Sequence, residues 1–266
     1  MIGAIALPRA TTDDEVAHPV DATVHVCAEV RDVSLAFGGH HVLGGVSLEL
    51  RTGELVLLRG ENGSGKTTLL NVISGYLAPD RGAVRLCLNE GWVDPSITSP
   101  ESLARHGLGR LWQDIRLFPT LTVLDNVLAA TPRMLGENPL LAIAALSAVH
   151  RQEREAKARA MRNLAIVGME ERGGSSCDML SVGQMKRVAL ARLLQMESSL
   201  LLLDEPLAGL DAHSATALVR DLDRLRTEQG KTLLVVEHRH ERVAGIADRI
   251  LFLRNGRLEE AGVGRA

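Results

Sequence analysis

The stretch that decides the fold is Gly60-Glu61-Asn62-Gly63-Ser64-Gly65-Lys66-Thr67, which fits the pattern G-x-x-x-x-G-K-[ST]. The apolar run at 55–58 precedes it and predicts a buried strand. Leu69, Val72 and Ile73 follow at helical spacing, and Gly75 can end that helix. A strand, a glycine-rich loop and a helix in this order indicate a phosphate-binding loop, whereas the alternative is a glycine-rich turn that binds nothing.

The residue types in this stretch suit the binding of a nucleotide. Glycines let the backbone wrap closely around phosphates, and their N–H groups then face the anion together with the helix N-terminus. Lys66 places a positive charge on the β- and γ-phosphates, and the Thr67 hydroxyl can ligate Mg²⁺. We therefore expect residues 60–67 and the adjacent Thr68 to contact the nucleotide.

A second chemical feature follows the apolar run 200–203, which predicts another buried strand. The strand ends in the acid pair Asp204-Glu205, at the carboxyl edge of the sheet where α/β proteins bind ligands. Asp204 can hold Mg²⁺ directly or through water, and Glu205 can accept the proton of an attacking water. The alternative is that these two acids only cap a helix.

The pattern of the whole chain predicts an α/β fold. Apolar strands that alternate with amphipathic helices indicate a mostly parallel sheet covered on both faces. The segments at 30–37, 46–50 and 82–88 alternate instead, which predicts an antiparallel sheet beside the nucleotide core. Thr120 or Thr122 can cap a helix through Val127, and a longer helix is predicted from Pro139 to about Leu164.

Composition and charge further limit the class of protein to which this chain can belong. The chain has 266 residues, of which 45% are hydrophobic and 24% charged, and its net charge of -3 gives no electrostatic reason to expect nucleic acid. Its three cysteines are widely spaced and indicate reduced thiols. No run reaches the ~18 apolar residues of a membrane span, and no signal peptide is apparent. Residues 1–27 lack sustained periodicity, so we predict a mobile extension there.

Two histidine clusters could suggest a metal site. His40 and His41 are adjacent on a predicted strand, where neighbouring side chains point to opposite faces. The run 238–240 has no carboxylate or thiol at ligand spacing. We expect surface histidines at the first cluster and no metal site at either.

The order of these motifs resembles that of the ATP-binding subunits of ABC transporters, over residues 28 to 262. The resemblance rests on the phosphate loop, Gln113, the signature-like run Leu180-Ser181-Val182-Gly183-Gln184, the acid pair, the run 207–211 and His238. It implies a phosphate-loop ATPase domain over 28–266, with a mostly parallel core sheet, an antiparallel β subdomain and a helical subdomain inserted at about 114–195. It also implies ATP and Mg²⁺ as cofactors.

The resemblance implies roles for individual residues. Phe37 would stack on adenine, and Gln113 would sense Mg²⁺ and the attacking water. His238 would contact the γ-phosphate. Other residues would act across a dimer, where the opposite subunit holds the ATP: Ser181, Gly183, Gln184 and Asp211. Val182 stands where many members have glycine, which leaves the backbone geometry of this loop open.

A finer resemblance concerns the transported solute. The run 107–127, the run 37–39 and the run 236–238 are similar to importers of branched-chain and other hydrophobic amino acids. Urea and short-chain amide importers share these features, and an exporter or a soluble ABC ATPase are further alternatives. The resemblance implies transmembrane permease subunits, a second ATP-binding subunit and an extracytoplasmic solute-binding protein as partners. It places the chain at the cytoplasmic face of the cell membrane.

Overall fold

The computed structural model describes residues 25–132, 146–238 and 241–263. The strands are β1 (Val26–Phe37), β2 (His40–Arg51), β3 (Leu55–Arg59), β4 (Arg81–Leu88), β5 (Gly91–Val93), β6 (Leu108–Leu111), β7 (Leu200–Asp204), β8 (Thr232–Val236), β9 (Arg249–Arg254) and β10 (Arg257–Val263). The α-helices are α1 (Lys66–Ile73), α2 (Pro100–Arg105), α3 (Val123–Leu128), α4 (Leu146–Ile166), α5 (Val182–Gln195), α6 (Ala212–Thr227) and α7 (Glu241–Ala244).

The core sheet has six strands in the order β10-β9-β3-β8-β7-β6. Strands β9, β3, β8, β7 and β6 are parallel, and only β10 pairs antiparallel at one edge. This arrangement confirms the mostly parallel core predicted from the sequence. Because the strands are parallel, the carboxyl ends of β3, β8, β7 and β6 lie along one edge of the sheet.

The core strands are buried on both faces, as their continuous apolar runs predict. Leu201 and Leu203 of β7 pack on one side of the sheet with residues of the helices α3 to α6. Leu200 and Leu202 pack on the other side, against α1 and the antiparallel sheet. This division follows the strand period of two, and it fixes which helices lie on which face.

A second sheet of four antiparallel strands, in the order β2-β1-β4-β5, confirms the predicted β subdomain. Strands β1 and β2 meet at the Gly38-Gly39 turn, where Phe37 pairs with His40. Strand β1 begins at Val26, so the expected boundary between Cys27 and Ala28 lies two residues inside this strand. Residues 1–24 lie outside the described residues.

Within the described residues, α3, α4 and α5 lie between the neighbouring strands β6 and β7, in the region expected to hold a helical subdomain. Thr122 caps α3, since its side chain accepts a hydrogen bond from the backbone N–H of Asp125. The described part of the long helix α4 begins at Leu146, and its predicted start at Pro139 lies outside the described residues. On α4 the guanidinium of Arg159 contacts Glu197, two residues beyond the end of α5.

Candidate functional site

The phosphate loop connects β3 to α1, as the sequence predicts. Gly65 precedes α1 with a φ of 101°, which residues with a side chain rarely adopt. A Cβ at this position would also lie 3.0 Å from the carbonyl oxygen of Val42. Glycine is therefore required here by both backbone conformation and space.

The Lys66 ammonium points into the phosphate loop. Its Nζ donates hydrogen bonds to the carbonyl oxygens of Gly60 (2.9 Å) and Glu61 (2.7 Å). Burial lowers the pKa of Lys66, and the charges of Glu205 and Asp204 oppose this change. The loop thus surrounds a buried cation, which suits the binding of phosphate groups.

Asp204 ends β7 next to the loop, and the nearby Thr67 side chain acts to lower the pKa of its carboxyl group. Burial raises the pKa of Asp204, while the charge of Arg110 opposes this effect most strongly. A hydroxyl and a carboxylate are the hard oxygen ligands that Mg²⁺ uses in nucleotide sites. These two residues therefore fit a magnesium ion.

The carboxylate of Glu205 lies between two other predicted site residues. Gln113 Nε2 donates to Glu205 Oε2 at 3.2 Å, and His238 Nε2 lies 3.0 Å from Glu205 Oε1. The three residues follow three neighbouring strands, β6, β7 and β8, at the same edge of the sheet. The structure thus brings together the three side chains expected to act on the attacking water and the γ-phosphate.

The backbone of Glu205 is held in an unusual conformation, with a φ of 49°. Its N–H donates to the Val236 carbonyl at 2.9 Å, and the buried Lys186 Nζ donates to its carbonyl at 3.0 Å. Lys186 also donates to the Ala208 carbonyl at 2.7 Å. These bonds fix the position from which the Glu205 side chain extends.

The acid pair does not cap a helix, which was the alternative interpretation. The next helix, α6, begins at Ala212, and Asp211 is its N-cap. The Asp211 carboxylate accepts hydrogen bonds from the backbone N–H groups of His213 and Ser214 and from the Ser214 hydroxyl. The Ser214 contacts lower the pKa of Asp211 to about 2.

A cleft of about 500 Å³ lies beside the phosphate loop. Residues 61–64 of the loop form one wall, and His40, His41 and Val42 of β2 form another. Phe37 ends the adjacent strand β1, and 49% of its surface is exposed, so it can receive a planar base. The volume is in the range of sites that bind drug-sized molecules.

The signature-like run 180–184 leads into the first turn of α5. Ser181 and Gln184 form a capping box, in which each side chain accepts a hydrogen bond from the other residue's backbone N–H. A Cβ on Gly183 would lie 3.0 Å from Ser214, beside the Asp211 cap. Among the described residues no hydrogen bond joins Ser181, Gly183 or Gln184 to the phosphate loop.

Three site residues did not emerge from the sequence motifs. Lys186 supports the backbone of Glu205, and Glu237 accepts a hydrogen bond from the Leu207 N–H. Arg110 lies 3.9 Å from Asp204. A lysine on the apolar face of a predicted helix was the available signal for Lys186, whereas Arg110 and Glu237 offered no distinct pattern.

Surface histidines were expected at the first histidine cluster, and residues 239 and 240 of the second cluster lie outside the described residues. His40 and His41 are both exposed on β2. In the described ranges no group of three or more histidines, cysteines, aspartates or glutamates could hold a metal ion. Among the same residues, no helix is both long enough and apolar enough to cross a bilayer.

The fold and site define a phosphate-loop nucleotide hydrolase. The sequence profile of the family described as "ABC transporter" matches residues 43–208, which is more than half of the chain. The chain therefore belongs to this family, and it is an ATP-hydrolysing subunit of an ABC transporter. This result confirms the family resemblance and the predicted fold class.

Individual relatives support the same assignment. The chain is 34% identical to the high-affinity branched-chain amino acid transport ATP-binding protein BraF of Pseudomonas aeruginosa, over 86% of this chain and 88% of that protein. It is 38% identical to the sulfate/thiosulfate import ATP-binding protein CysA 2 of Chromobacterium violaceum, over 85% of this chain and 56% of that protein.

A solved structure with the same fold is a dimer. It is the dimeric post-hydrolysis state of an ATP-binding cassette bound to ADP and phosphate. The TM-score is 0.69 at 28% sequence identity, and the match covers 90% of this chain and 99% of that one. ABC ATPase subunits of this kind dimerise and pair with transmembrane permeases.

Proposed function

We propose that this chain hydrolyses ATP with Mg²⁺ and Glu205 as the general base, and thereby energises an importer of branched-chain or other hydrophobic amino acids. The observation that carries the hydrolytic role is the position of Glu205 between Gln113 and His238. A carboxylate held at two points beside a phosphate loop is placed to take a proton from water. The likeness to BraF supports the choice of solute class.

The residues divide the reaction between them. The phosphate loop and Lys66 bind the β- and γ-phosphates, and Thr67 and Asp204 would hold Mg²⁺. Bound Mg²⁺ would neutralise charge that develops on the phosphates. Glu205 accepts the proton of the attacking water, while Gln113 and His238 orient the Glu205 carboxylate and contact the water or γ-phosphate.

The signature residues are proposed to act on the ATP of a second subunit. Ser181 and Gly183 make no hydrogen bond to the phosphate loop of their own chain within the described residues, which supports a composite site. The backbone N–H of Gly183 lies in the first turn of α5, where the helix N-terminus favours an anion. The likeness to a dimeric cassette supports the same arrangement.

We expect ATP to drive association of the isolated chain. Each composite site needs Ser181 and Gly183 from a partner, so ATP bound to one chain adds contacts for the other. Light scattering of Glu205→Gln at high protein concentration should give a monomer mass without ATP and a dimer mass with it. The double variant Glu205→Gln with Lys66→Ala is the control, because it should bind ATP poorly and stay monomeric. An unchanged mass in Glu205→Gln with ATP would contradict the sandwich arrangement.

The segment 113–127 is proposed to contact the permease. Phe118 (50%) and Leu121 (36%) expose apolar side chains, whereas Leu117 packs against the hydrophobic core. The Asn126 side chain accepts from the Phe118 N–H and donates to its carbonyl, both at 2.9 Å. The backbone of Phe118 is therefore fixed before a partner binds, which lowers the entropy cost of binding.

We expect Phe118→Glu with Leu121→Glu to uncouple transport from hydrolysis. Two charges on a hydrophobic contact would prevent docking, because apolar anchors dominate such interfaces. Uptake by the reconstituted complex should fall to background, while hydrolysis by the isolated chain stays near normal. Trp92→Glu is the control, since Trp92 is similarly exposed (44%) on the antiparallel sheet. Normal assembly and uptake in the double variant would refute this contact.

The solute class needs its own test. Purification from the native membrane should recover permease subunits and a second ATP-binding subunit with this chain, at the cytoplasmic face of the membrane. Binding assays on the associated solute-binding protein should then show affinity for branched-chain amino acids. Selective binding of urea or amides would assign the alternative importer class, and outward transport would assign an exporter.

A further inference from the structure

Arg110 of β6 lies where three parts of the site meet. Its side chain is only 6% exposed, and its Nη1 donates to the Ser74 hydroxyl. Ser74 ends α1, the helix that begins at Lys66, and its Oγ lies 2.6 Å from the Leu70 carbonyl oxygen. Arg110 is therefore tied to the helix that carries the phosphate loop.

The same guanidinium faces the metal-binding carboxylate. Arg110 Nη2 lies 3.9 Å from Asp204 Oδ2, and 5% of the Asp204 side chain is exposed. Within the described residues, Nε and Nη2 of Arg110 are buried without a hydrogen-bond partner. Burial lowers the pKa of Arg110 to about 10, so it remains a cation at neutral pH. A buried cation with incomplete hydrogen bonding is costly, and Asp204 is the opposite charge that it faces.

The guanidinium of Arg110 contacts Trp112, the first residue of the loop that follows β6 and carries Gln113. Its guanidinium carbon lies 3.8 Å from the centre of the Trp112 ring, and Arg116 lies 4.7 Å from the same centre. Tyr76 meets Trp112 edge-on at 4.9 Å between ring centres. Trp112 is followed directly by Gln113, which donates to Glu205. Trp112 is thus the first residue after β6, and Arg110 and Tyr76 both contact its ring.

We propose that Arg110 is a positioning residue for hydrolysis, which ties the Asp204 carboxylate to Trp112 and thereby places Gln113 beside Glu205. The inference rests on the proposed function, because it needs Mg²⁺ at Asp204 and hydrolysis at Glu205. When Asp204 holds a metal ion, less of its negative charge faces Arg110. The stack of Arg110 on Trp112 then changes, and Trp112 reports it.

Trp112 fluorescence gives a readout that is independent of turnover. The sequence has two tryptophans, so Trp92→Phe leaves Trp112 as the only one. In this background we expect Mg²⁺ to change the Trp112 emission of the ATP-bound protein. Arg110→Gln should abolish this change. It should also lower kcat about 10- to 100-fold, as loss of an outer partner of a metal ligand does. The KM for ATP should stay within about twofold, because the phosphate loop and Lys66 are unaltered.

A second variant keeps the proposal testable if Arg110→Gln folds poorly. Arg110→Lys retains the charge beside Asp204 but has no planar group to stack on Trp112. We expect it to restore part of kcat and to give a smaller fluorescence change than the unaltered Arg110.

Two arginines serve as matched controls. Arg85 stacks on Trp92 at 4.8 Å in the antiparallel sheet, so Arg85→Gln removes a similar contact and should leave kcat unchanged. Arg116 contacts Trp112 and makes no ion pair with Asp204, so Arg116→Gln should shift the Trp112 emission without nucleotide and keep the Mg²⁺ response.

Several outcomes would overturn the role of Arg110. One is that Arg110→Gln keeps both its kcat and the change in Trp112 emission on addition of Mg²⁺. A raised KM with unchanged kcat would also do so, because Arg110 would then only support the phosphate-loop helix. Hydrolysis without Mg²⁺ by the unmodified chain would overturn both this inference and the proposed metal site. Hydrolysis by the unmodified chain, measured with and without Mg²⁺, therefore tests the metal site separately from the role of Arg110.

Discussion

Glu205→Gln should produce a chain that binds ATP but hydrolyses it about 10²- to 10⁴-fold more slowly, the usual contribution of a general base. The amide keeps the size of the carboxylate and can bond to Gln113 and His238, which now lie 3.2 Å and 3.0 Å from Glu205. It cannot accept the proton of the attacking water. Lys66 and Asp204 remain, so the nucleotide and Mg²⁺ should bind as before. The ATP-bound dimer should therefore accumulate.

Binding and turnover should be measured on the same preparation of Glu205→Gln. Glu171→Gln is a suitable control, because Glu171 is an exposed acid on a short 3₁₀ helix. Loss of both ATP binding and hydrolysis would make Glu205 a structural residue or a metal ligand. Near-normal hydrolysis would mean that another residue activates the water.

Lys66→Ala should remove tight ATP binding. Hydrogen bonds to charged groups contribute about 1.5–3 kcal/mol, so the affinity should fall about 10- to 150-fold. The loss has a second cause, since the carbonyl oxygens of Gly60 and Glu61 lose the donor that holds the loop. Nucleotide titration at saturating Mg²⁺ measures the change, and hydrolysis at low ATP should fall with it.

Lys157→Ala is the control for Lys66→Ala. Lys157 is exposed on α4, so this substitution removes the same charge outside the phosphate loop. It should bind ATP with unchanged affinity. If Lys66→Ala bound ATP as tightly as the unmodified chain does, Lys66 could not be the residue that binds the phosphates.

The sequence predicted most of the fold because its signals are local. Four apolar residues at 55–58 and four at 200–203 each form a buried core strand. Thr122, one of the two predicted caps, caps α3 through a hydrogen bond that forms within three residues. The strand predicted over 30–37 begins four residues earlier, at Val26, since strand ends depend on pairing with distant segments.

Arg110 and Lys186 show the limit of such reasoning. Both are buried charges whose partners lie at least 19 positions away in the sequence: Ser74 and Asp204 for Arg110, and the carbonyls of Glu205 and Ala208 for Lys186. No local pattern marks a buried arginine on a strand as different from an exposed one. Its environment is set by which strands become neighbours.

The sequence by itself determined the phosphate loop, the acid pair, the family and the α/β class, because these depend on residue types at short spacing. The tertiary structure alone decided that Gln113 and His238 both contact Glu205, and that Arg110 lies between Asp204 and Trp112. The physical reason is the strand order β3-β8-β7-β6. It places the carboxyl ends of four parallel strands, far apart in the chain, side by side at one edge of the sheet.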